Sequence, residues 1–526
     1  MSRTDRPYAP REEPRPAEEI TTGALADGAR CGRCHAFLYR EPGEASKICP
    51  KCGANNLISR WDIDRASMRP EMKVRIALVV ALIVAVSLVI TMVVVHLANP
   101  MVWSATISNQ AVGQCDGDAA FASAASLSDG SIVAVGLVCQ NSPDQAAVAA
   151  AWTSDGRLLW ARAYRDGGLQ SFLSVIATKS DDVVAVGTSG KTGDGYRGED
   201  AAVVELTSTG DVVWAHTFGG SGDDTFESVA LASNGDLLVV GGTESPDGDF
   251  PTPYQPVPTS SVFGEPGDPI YENDAVVARL SATGQLLWAK AVGGSSNDWF
   301  YSVAVSADGE IIAVGDTMST DGDFPQHGWW DSDDAVVARF SADGNLVWAR
   351  TYGGYNWDYF DAVTIGFGDQ VLVAGGTNST DGDFPTNGPN GHAVCALLTA
   401  DGDIVWARTY GGTRYDSFTS IAVPDASSIL VTGRTESDDG DFPTSHQDSG
   451  PLSSGAVIAK LDSDGTLVWK KAFECSWSCG FNSFVPVVPG VFLAVGWEKA
   501  RNGEFTVSYT TAVAARITIN GLFGPR

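Results

Sequence analysis

The segment Asp334-Ala-Val-Val-Ala-Arg-Phe-Ser-Ala-Asp-Gly-Asn-Leu-Val-Trp348-Ala-Arg-Thr-Tyr-Gly-Gly354 recurs with drift along most of the chain and therefore indicates its architecture. Six copies are marked by a tryptophan, at Trp160, Trp214, Trp288, Trp348, Trp406 and Trp469. A phenylalanine follows each of them twelve residues later, at Phe172, Phe226, Phe300, Phe360, Phe418 and Phe481. A period of roughly 60 residues indicates a modular repeat architecture.

Each repeat reads as four short strands. Runs rich in β-branched residues alternate with hairpin turns, at Asn234-Gly235, Asp308-Gly309, Asp343-Gly344, Asp401-Gly402 and Asp464-Gly465. Four antiparallel strands at this period predict the blade of an all-β propeller.

The two ends of the repeat region complete each other. The segment from Ala512 to Phe523 reads as a third strand that stops short of its tryptophan, and Val102-Trp103 supplies a matching fourth strand. Phe121 then begins the next repeat. The sequence therefore predicts a seven-bladed β-propeller over residues 101–526, closed by pairing of its terminal strands so that no sheet edge stays open. A competing interpretation makes Trp103 an aromatic anchor at a membrane interface.

One repeat shows a pattern found in a known family. It contains Gly293-Gly294-Ser-Ser-Asn-Asp298, then Gly315 with Thr317, then Asp323-Phe324-Pro325. This pattern resembles the bacterial seven-bladed propeller repeat of the SBBP type, over about residues 101–526. The resemblance implies a propeller at the cell surface and no general set of catalytic residues.

A membrane span is predicted ahead of the repeats. Ile76–Leu97 is an uncharged run of 22 residues, long enough as a helix to cross a hydrocarbon core of about 30 Å. Basic residues crowd its N-terminal side, at Arg60, Arg65, Arg69, Lys73 and Arg75, and the next one is Arg157. This asymmetry predicts a plasma (inner) membrane protein with its N-terminus in the cytoplasm and its propeller outside.

The acidic charge belongs to the predicted outer part. The formal net charge is −30, yet residues 1–75 contain 14 basic and 11 acidic residues. Such a surface disfavours nucleic acid and anionic lipid headgroups, and it favours divalent cations or basic partners. The proline- and arginine-rich residues 1–30 contain few large apolar side chains and are predicted to be a disordered tail.

Two pairs of cysteines predict a zinc ribbon over residues 31–58. Cys31 and Cys34 form one CxxC pair, and Cys49 and Cys52 form the other. This spacing suits four thiolates around one tetrahedral Zn²⁺, and the predicted reducing compartment disfavours disulfides. A cytoplasmic protein partner for this ribbon is one expectation.

The remaining cysteines lie in the predicted outer part. Cys115 and Cys139 flank a hairpin and are placed to form a disulfide. Cys475 and Cys479 are either a local disulfide or two free thiols. Cys395 falls within an apolar strand, which indicates a core position.

A ligand face is predicted where two loop families meet. The loops with the pattern GGxxxD and the loops with Asp-Gly-Asp-Phe-Pro lie on one side of a propeller, because strand order brings them together. The candidate residues on this face are Asp298, Trp299, Asp321, Asp323, Trp329, Trp330, Tyr355, Trp357, Tyr359, Asp381, Asp383 and Tyr415. Aromatic rings interleaved with carboxylates suit sugars or cationic groups. The Asp-Gly-Asp segments suggest Ca²⁺ ligation, although a plain turn uses the same residues.

Three functions follow as hypotheses. The first is a membrane-anchored, non-enzymatic binding, adhesion or scaffold module for an extracellular glycan or protein. The second is a transmembrane sensor or assembly factor that couples the propeller to the zinc ribbon. The third is a quinoprotein-like enzyme, whose blades share a Gly-x-x-x-Trp pattern such as Gly284 to Trp288. No arrangement of His, Asp and Ser in the sequence supports an active site.

Overall fold

The structure is a computed structural model of the chain. It describes residues 29–30, 37–38, 46–48, 55–57, 101–107, 118–140, 144–190, 198–250, 272–324, 332–384, 390–444, 453–475, 478–488, 491–500 and 509–518. The chain forms two compact units, Met1–Val95 and His96–Arg526.

The first unit contains two small hairpins. Strands β1 (Ala29–Arg30) and β2 (Phe37–Leu38) pair with each other, as do β3 (Ser46–Ile48) and β4 (Asn55–Leu57). The predicted zinc ligands Cys31, Cys34, Cys49 and Cys52 lie outside the described residues, and so does the predicted tail, residues 1–28.

The predicted span Ile76–Leu97 also lies outside the described residues. Within the ranges that are described, no helix has the length and apolar character needed to cross a membrane. The span and its orientation therefore stay predictions.

The second unit begins with strand β5 (Met101–Ile107) and continues as six antiparallel sheets of four consecutive strands each. The first sheet contains β6 (Asp118–Ser126), β7 (Ile132–Gln140), β8 (Ala146–Trp152) and β9 (Leu158–Tyr164), and the second contains β10 (Leu169–Ala177), β11 (Val183–Gly190), β12 (Glu199–Leu206) and β13 (Val212–Phe218). The third sheet contains β14 (Asp224–Leu231), β15 (Leu237–Thr243), β16 (Asp274–Leu280) and β17 (Leu286–Val292), and the fourth contains β18 (Asp298–Val305), β19 (Ile311–Thr317), β20 (Asp334–Phe340) and β21 (Leu346–Tyr352). The fifth sheet contains β22 (Asp358–Ile365), β23 (Val371–Thr377), β24 (His392–Leu398) and β25 (Ile404–Tyr410), and the sixth contains β26 (Asp416–Asp425), β27 (Ser428–Thr435), β28 (Gly455–Asp462) and β29 (Leu467–Phe473). Two short 3-10 helices are present, at Asp166–Gly168 and Phe367–Asp369.

One further four-stranded sheet joins the two ends of this unit. Strands β30 (Ser478–Val488), β31 (Val491–Ala500) and β32 (Tyr509–Thr518) are followed in the sheet by β5. Ala512 pairs with Ile107 and Arg516 pairs with Trp103, so the predicted pairing of the terminal strands is confirmed. The third strand begins at Tyr509 and not at Ala512, because its ladder with β31 extends back to the Tyr509–Ala500 pair. Residues 519–523 of the predicted strand lie outside the described residues.

The sheets follow one another around a central channel. The first strand of each sheet contacts the first strand of the next, in the order β6, β10, β14, β18, β22, β26, β30 and back to β6. We call each sheet a blade and the space inside the first strands the channel. The sheet made from the two ends thus closes the circle, and it is the closing blade.

The repeated phenylalanines fill the contacts between blades. Phe300 is fully buried, and its ring meets the ring of Phe324 edge-on at a centroid distance of 6.2 Å. A β-bulge follows each of these phenylalanines, as between Phe300 and Ser302. The bulge directs the phenylalanine into the core and turns its neighbours towards the channel. Second and third strands are buried almost throughout, which explains their continuous apolar runs.

The repeated tryptophans dock one blade onto the next. Trp160 donates a hydrogen bond from Nε1 to the Ser208 carbonyl at 2.9 Å, in the turn between the third and fourth strands of the following blade. Tyr164 donates to the Gly210 carbonyl in the same turn at 2.8 Å. This packing role explains the Gly-x-x-x-Trp pattern without a cofactor.

We expect the turn glycine beneath a tryptophan to be far less replaceable than an equivalent glycine elsewhere. Gly344 and Gly309 both adopt positive φ, but a Cβ would lie 2.7 Å from Trp288 at Gly344 and 3.7 Å from Ala342 at Gly309. Both alanine variants should lose about 1 kcal/mol to backbone strain, and Gly344→Ala should lose about 1–3 kcal/mol more through the clash. Urea unfolding measures the difference. Equal losses would contradict the docking role of Trp288.

The cysteines in the propeller differ in state. Cys475 and Cys479 form a disulfide, which selects one of the two predicted alternatives. Cys139 is also disulfide-bonded, while Cys115 lies outside the described residues. Cys395 is a buried free cysteine, as its apolar strand predicted.

Candidate functional site

The two predicted loop families lie side by side. Asp321 accepts a hydrogen bond on Oδ1 from the Ser295 backbone N–H at 2.8 Å. Asp323 donates its own backbone N–H to the Gly293 carbonyl at 2.7 Å, and the Gly293 N–H approaches Asp323 Oδ2 at 3.3 Å. Asp381 and Asp383 make the same contacts in the next blade. The prediction that these loops share one side of the propeller is confirmed, and we call this side the loop face.

The aspartate of the GGxxxD pattern holds its loop together. Asp298 is fully buried and accepts hydrogen bonds from the Thr317 hydroxyl, from the Ser319 hydroxyl at 2.8 Å and from the Gly294 N–H at 2.8 Å. The carboxylates of these loops therefore serve as internal acceptors. Their part in ligand or Ca²⁺ binding stays a prediction.

In the closing blade, a disulfide takes the place of the hydrogen bond between the loop aspartate and the backbone N–H four residues earlier. Asp416 accepts the Gly412 N–H at 2.8 Å, four residues earlier in the chain. Cys479 occupies the position of Asp416 relative to the buried phenylalanine, and its disulfide reaches Cys475, again four residues earlier. Both devices fix the loop that leads into a first strand.

The predicted aromatic residues lie in different surroundings. Tyr355 and Trp357 are 56% and 58% exposed on the loop face. Trp299 instead packs over Gly242 of the preceding blade, where a Cβ would lie 2.6 Å from its ring. Trp329 and Trp330 lie outside the described residues. Tyr359 and Tyr415 belong to a different feature, the wall of the channel.

A cavity of about 350 Å³ opens in the channel between four successive blades. We call it the channel cavity; its lining residues are Tyr301, Asp316, Tyr359, Asp361, Tyr415, Ser417, Thr419, Arg434, Gly480, Phe481, Asn482 and Trp497. Tyr415 precedes a first strand and Arg434 lies near the end of a second strand, which places both at the loop-face end. Asp361 and Tyr301 lie deeper along their strands.

The positions of these residues follow from the strand pattern. Tyr301 and Asp361 each come directly after a buried phenylalanine, Phe300 or Phe360. Because side chains alternate along a strand, residues that flank the buried ring face the channel. Gly480, Asn482 and Trp497 come from the closing blade, so the cavity is complete only when the ends of the unit pair.

Polar contacts organise the cavity wall. The Tyr359 and Tyr415 hydroxyls hydrogen-bond to each other. The Arg434 guanidinium lies over the Tyr415 ring, 4.9 Å from its centroid. Tyr301 donates to Asp316 Oδ2 at 3.0 Å. The wall thus combines aromatic faces with charged groups.

Burial changes the acidity of the deeper carboxyls. It raises the pKa of Asp361 to about 7, with the Arg434 charge opposing the rise. Burial and the nearby Asp361 charge also raise the pKa of Glu227 to about 7. The pKa of Asp316 is raised by burial and by Asp333. Perturbed carboxyls in a cleft are a feature of binding sites.

Sequence reasoning found Tyr359 and Tyr415 but missed the rest of this wall. Glu227, Tyr301 and Asp361 share the position after the buried phenylalanine, where large polar side chains recur. That recurrence was the available signal. Arg434 and Trp497 lie on second strands, within runs that read as plain core.

The fold and the cavity define a propeller of four-stranded blades with a polar, aromatic channel. No protein-family model matches the chain, so membership of the family that the repeats resemble stays a prediction.

Among curated proteins, the chain is similar to the regulatory protein FlaEY of Caulobacter vibrioides, with 27% identity over 179 residues. The match covers 31% of this chain and 18% of that protein, so the chain spans under a fifth of its length.

Among solved structures, the WD40 domain of Pan2 from Neurospora crassa is 9% identical with a TM-score of 0.41, covering 76% of this chain and 89% of that domain. Sqt1 from Chaetomium thermophilum is 11% identical with a TM-score of 0.39, covering 80% and 99%. The propeller fold rests on the sheets described above and not on these low scores.

Proposed function

We propose that the chain is a non-enzymatic binding module, with adhesion or scaffolding as its role, and that its propeller takes a glycan or protein ligand at the channel cavity. One observation carries the proposal: Tyr301, Tyr415 and Trp497 line a cavity together with Asp361 and Arg434. Aromatic faces supply apolar contact area, and a few polar groups fix the orientation of a ligand.

The surroundings of the cavity support this choice. Tyr355 and Trp357 are exposed on the same loop face and extend the aromatic surface outward. The tryptophans of the Gly-x-x-x-Trp pattern are used between blades, as at Trp348, which donates to the Ala400 carbonyl at 3.2 Å. This use removes the sequence feature that suggested a quinoprotein-like enzyme.

The proposal includes anchoring by residues 76–97 in the plasma (inner) membrane, with the propeller outside. The position at which the chain enters the propeller, Met101, supports one orientation of the loop face in this proposal. Strand β5 starts beside Ile517, at the end of its blade opposite the loop face. A chain that leaves a membrane there would direct the loop face away from the lipid.

We expect Trp497→Ala to abolish most of the binding. A screen of glycans and peptides against the full-length chain would provide the ligand, and titration calorimetry would measure its affinity. Loss of a cavity aromatic should weaken binding by about tenfold or more. The matched variant Trp357→Ala removes an exposed ring of the loop face outside the cavity. If Trp357→Ala alone lost the ligand, the site would be the outer loops and not the channel.

A second candidate is a transmembrane sensor or assembly factor. Two observations favour it: the hairpins β1–β2 and β3–β4 flank the two CxxC pairs in the sequence, and the chain is similar to part of a protein named as regulatory. In this proposal the four cysteines hold Zn²⁺ and the ribbon contacts a cytoplasmic protein. A Cys31→Ser, Cys34→Ser variant should then bind the propeller ligand normally but lose the cellular response.

A further inference from the structure

We infer that the channel cavity is a site for an organic cation, the ammonium or guanidinium group of a small ligand or of a partner's side chain. This inference rests on the proposed binding function and names the chemistry of its ligand. It depends on two carboxylates, Asp361 in the cavity wall and Glu227 at the equivalent position of another first strand, and on the rings that line the cavity.

Among the described residues, no hydrogen-bond donor contacts the carboxylate of Glu227 or of Asp361. The loop aspartates are different, since Asp298 alone accepts three hydrogen bonds. Carboxylates withdrawn from bulk water are normally paired, so Asp361 in the cavity wall, with Glu227 acting on it nearby, is poised to accept donors from a ligand.

The cavity wall already contains one guanidinium, that of Arg434. Arg434 lies over the Tyr415 ring at 4.9 Å, and its charge acts on Asp361. The residues that line the cavity include two carboxyl groups, Asp316 and Asp361, against this single cation. A second cation would restore the balance of charge.

Aromatic rings line the same cavity. Tyr301 contacts Asp316, and the Trp299 and Tyr301 rings are nearly parallel, 10° apart in plane. Tyr359 lies two residues nearer the loop face than Asp361 on the same strand. Alkylammonium and guanidinium groups bind over aromatic faces, and a neighbouring carboxylate adds an opposite charge.

The test compares a cation with its neutral isostere. Butylguanidinium and butylurea would be titrated into the full-length chain at pH 8, where both carboxyls ionise. We expect butylguanidinium to bind and butylurea not to bind. The channel variant Glu227→Gln with Asp361→Asn should weaken butylguanidinium binding by about tenfold or more.

A control variant matches the charge change. Asp343→Asn with Asp369→Asn also removes two negative charges, at exposed turn positions outside the cavity, and it should bind normally. The channel variant should unfold at an equal or higher urea concentration than the natural chain at pH 8, because it removes the cost of burying two charges. A loss of binding with stability retained separates a ligand site from a structural one.

Three results would overturn the cation site: absence of butylguanidinium binding, equal binding of butylurea, or unchanged binding by the channel variant. In each case the proposed function survives if the ligand found by screening is still lost in Trp497→Ala. If Trp497→Ala leaves that ligand bound, the channel is not the binding site and both proposals fail.

Discussion

Deleting residues 509–526 should abolish the folded propeller. The deletion removes β32, the strand that joins β31 to β5 in the closing blade. Leu493 and Val495 of β31 are fully buried and would lose their cover. The loss should exceed about 5 kcal/mol, which is comparable to the whole stability of a typical domain. Size-exclusion chromatography should show aggregated material, and urea unfolding should lose its cooperative transition.

The control is a shorter deletion of residues 519–526, which leaves every described strand intact. This variant should remain monomeric and unfold like the full-length chain. A soluble, cooperatively folded protein without residues 509–526 would show that the ring does not depend on its terminal strands.

Stability should fall as the pH rises from about 4 to 8, because acid pairs are buried between blades. A Cβ at Gly353 would lie 2.4 Å from Asp358 Oδ2 and 2.9 Å from Asp334 Oδ1, so both carboxyls crowd one glycine. Burial, and after it the nearby charge of Asp358, raises the pKa of Asp334 to about 8. Burial raises the pKa of Asp358 to about 6. The pair formed by Asp274 and Asp298 is similar, with both pKa values raised to about 7.

Proton linkage determines whether these carboxyls make the folded protein more or less stable as the pH rises. In the unfolded chain these carboxyls ionise near their ordinary pKa of 3.8, whereas the folded protein keeps them protonated to higher pH. Stability is therefore fully present below that value and is lost as the pH rises through the folded pKa values. We expect a loss on the order of 3 kcal/mol per pair between pH 5 and pH 8.

Asp334→Asn tests this expectation. Within the described part of the chain, no donor forms a hydrogen bond with Asp334 Oδ1. Replacing the carboxyl group by an amide therefore removes no hydrogen bond at that oxygen. Urea midpoints of the natural chain and of Asp334→Asn, taken from pH 5 to pH 8, should diverge, with the variant the more stable at pH 8. The exposed Asp343→Asn should follow the natural chain. Parallel curves for all three proteins would contradict the buried acid pair.

The repeats allowed most of the fold to be predicted from the sequence. The tryptophan and phenylalanine spacing located every blade, since each residue type has one packing role: Trp348 covers a turn of the next blade, and Phe360 fills the contact between blades. Strand limits were less accurate. Tyr509 joins its strand through main-chain pairing with Ala500, which no side-chain pattern marks.

The candidate site was predicted only in part, for a physical reason. Aspartates in Gly-rich loops look the same in sequence whether they hold a ligand or their own backbone, and Asp298 does the latter. The channel residues were harder to find because they come from four blades and meet only when the circle closes. Arg434 and Asp361, for example, are far apart in the chain, yet they line one cavity.

The pairing of the two ends of the propeller is the claim on which both the fold and the channel cavity depend. Disulfide formation between engineered cysteines would test this pairing. Two variants of the full-length chain are needed, Ala105→Cys with Ala514→Cys and Thr106→Cys with Val513→Cys. These are adjacent register pairs of β5 and β32, and alternation makes one of them close enough for a disulfide. Thr106→Cys with Val457→Cys, on the third strand of the neighbouring blade, is the control. We expect an intramolecular link in one of the first two variants, identified by mass spectrometry of the joined peptides, and none in the control. Absence of a link in both register pairs, or an equal yield in the control, would contradict it.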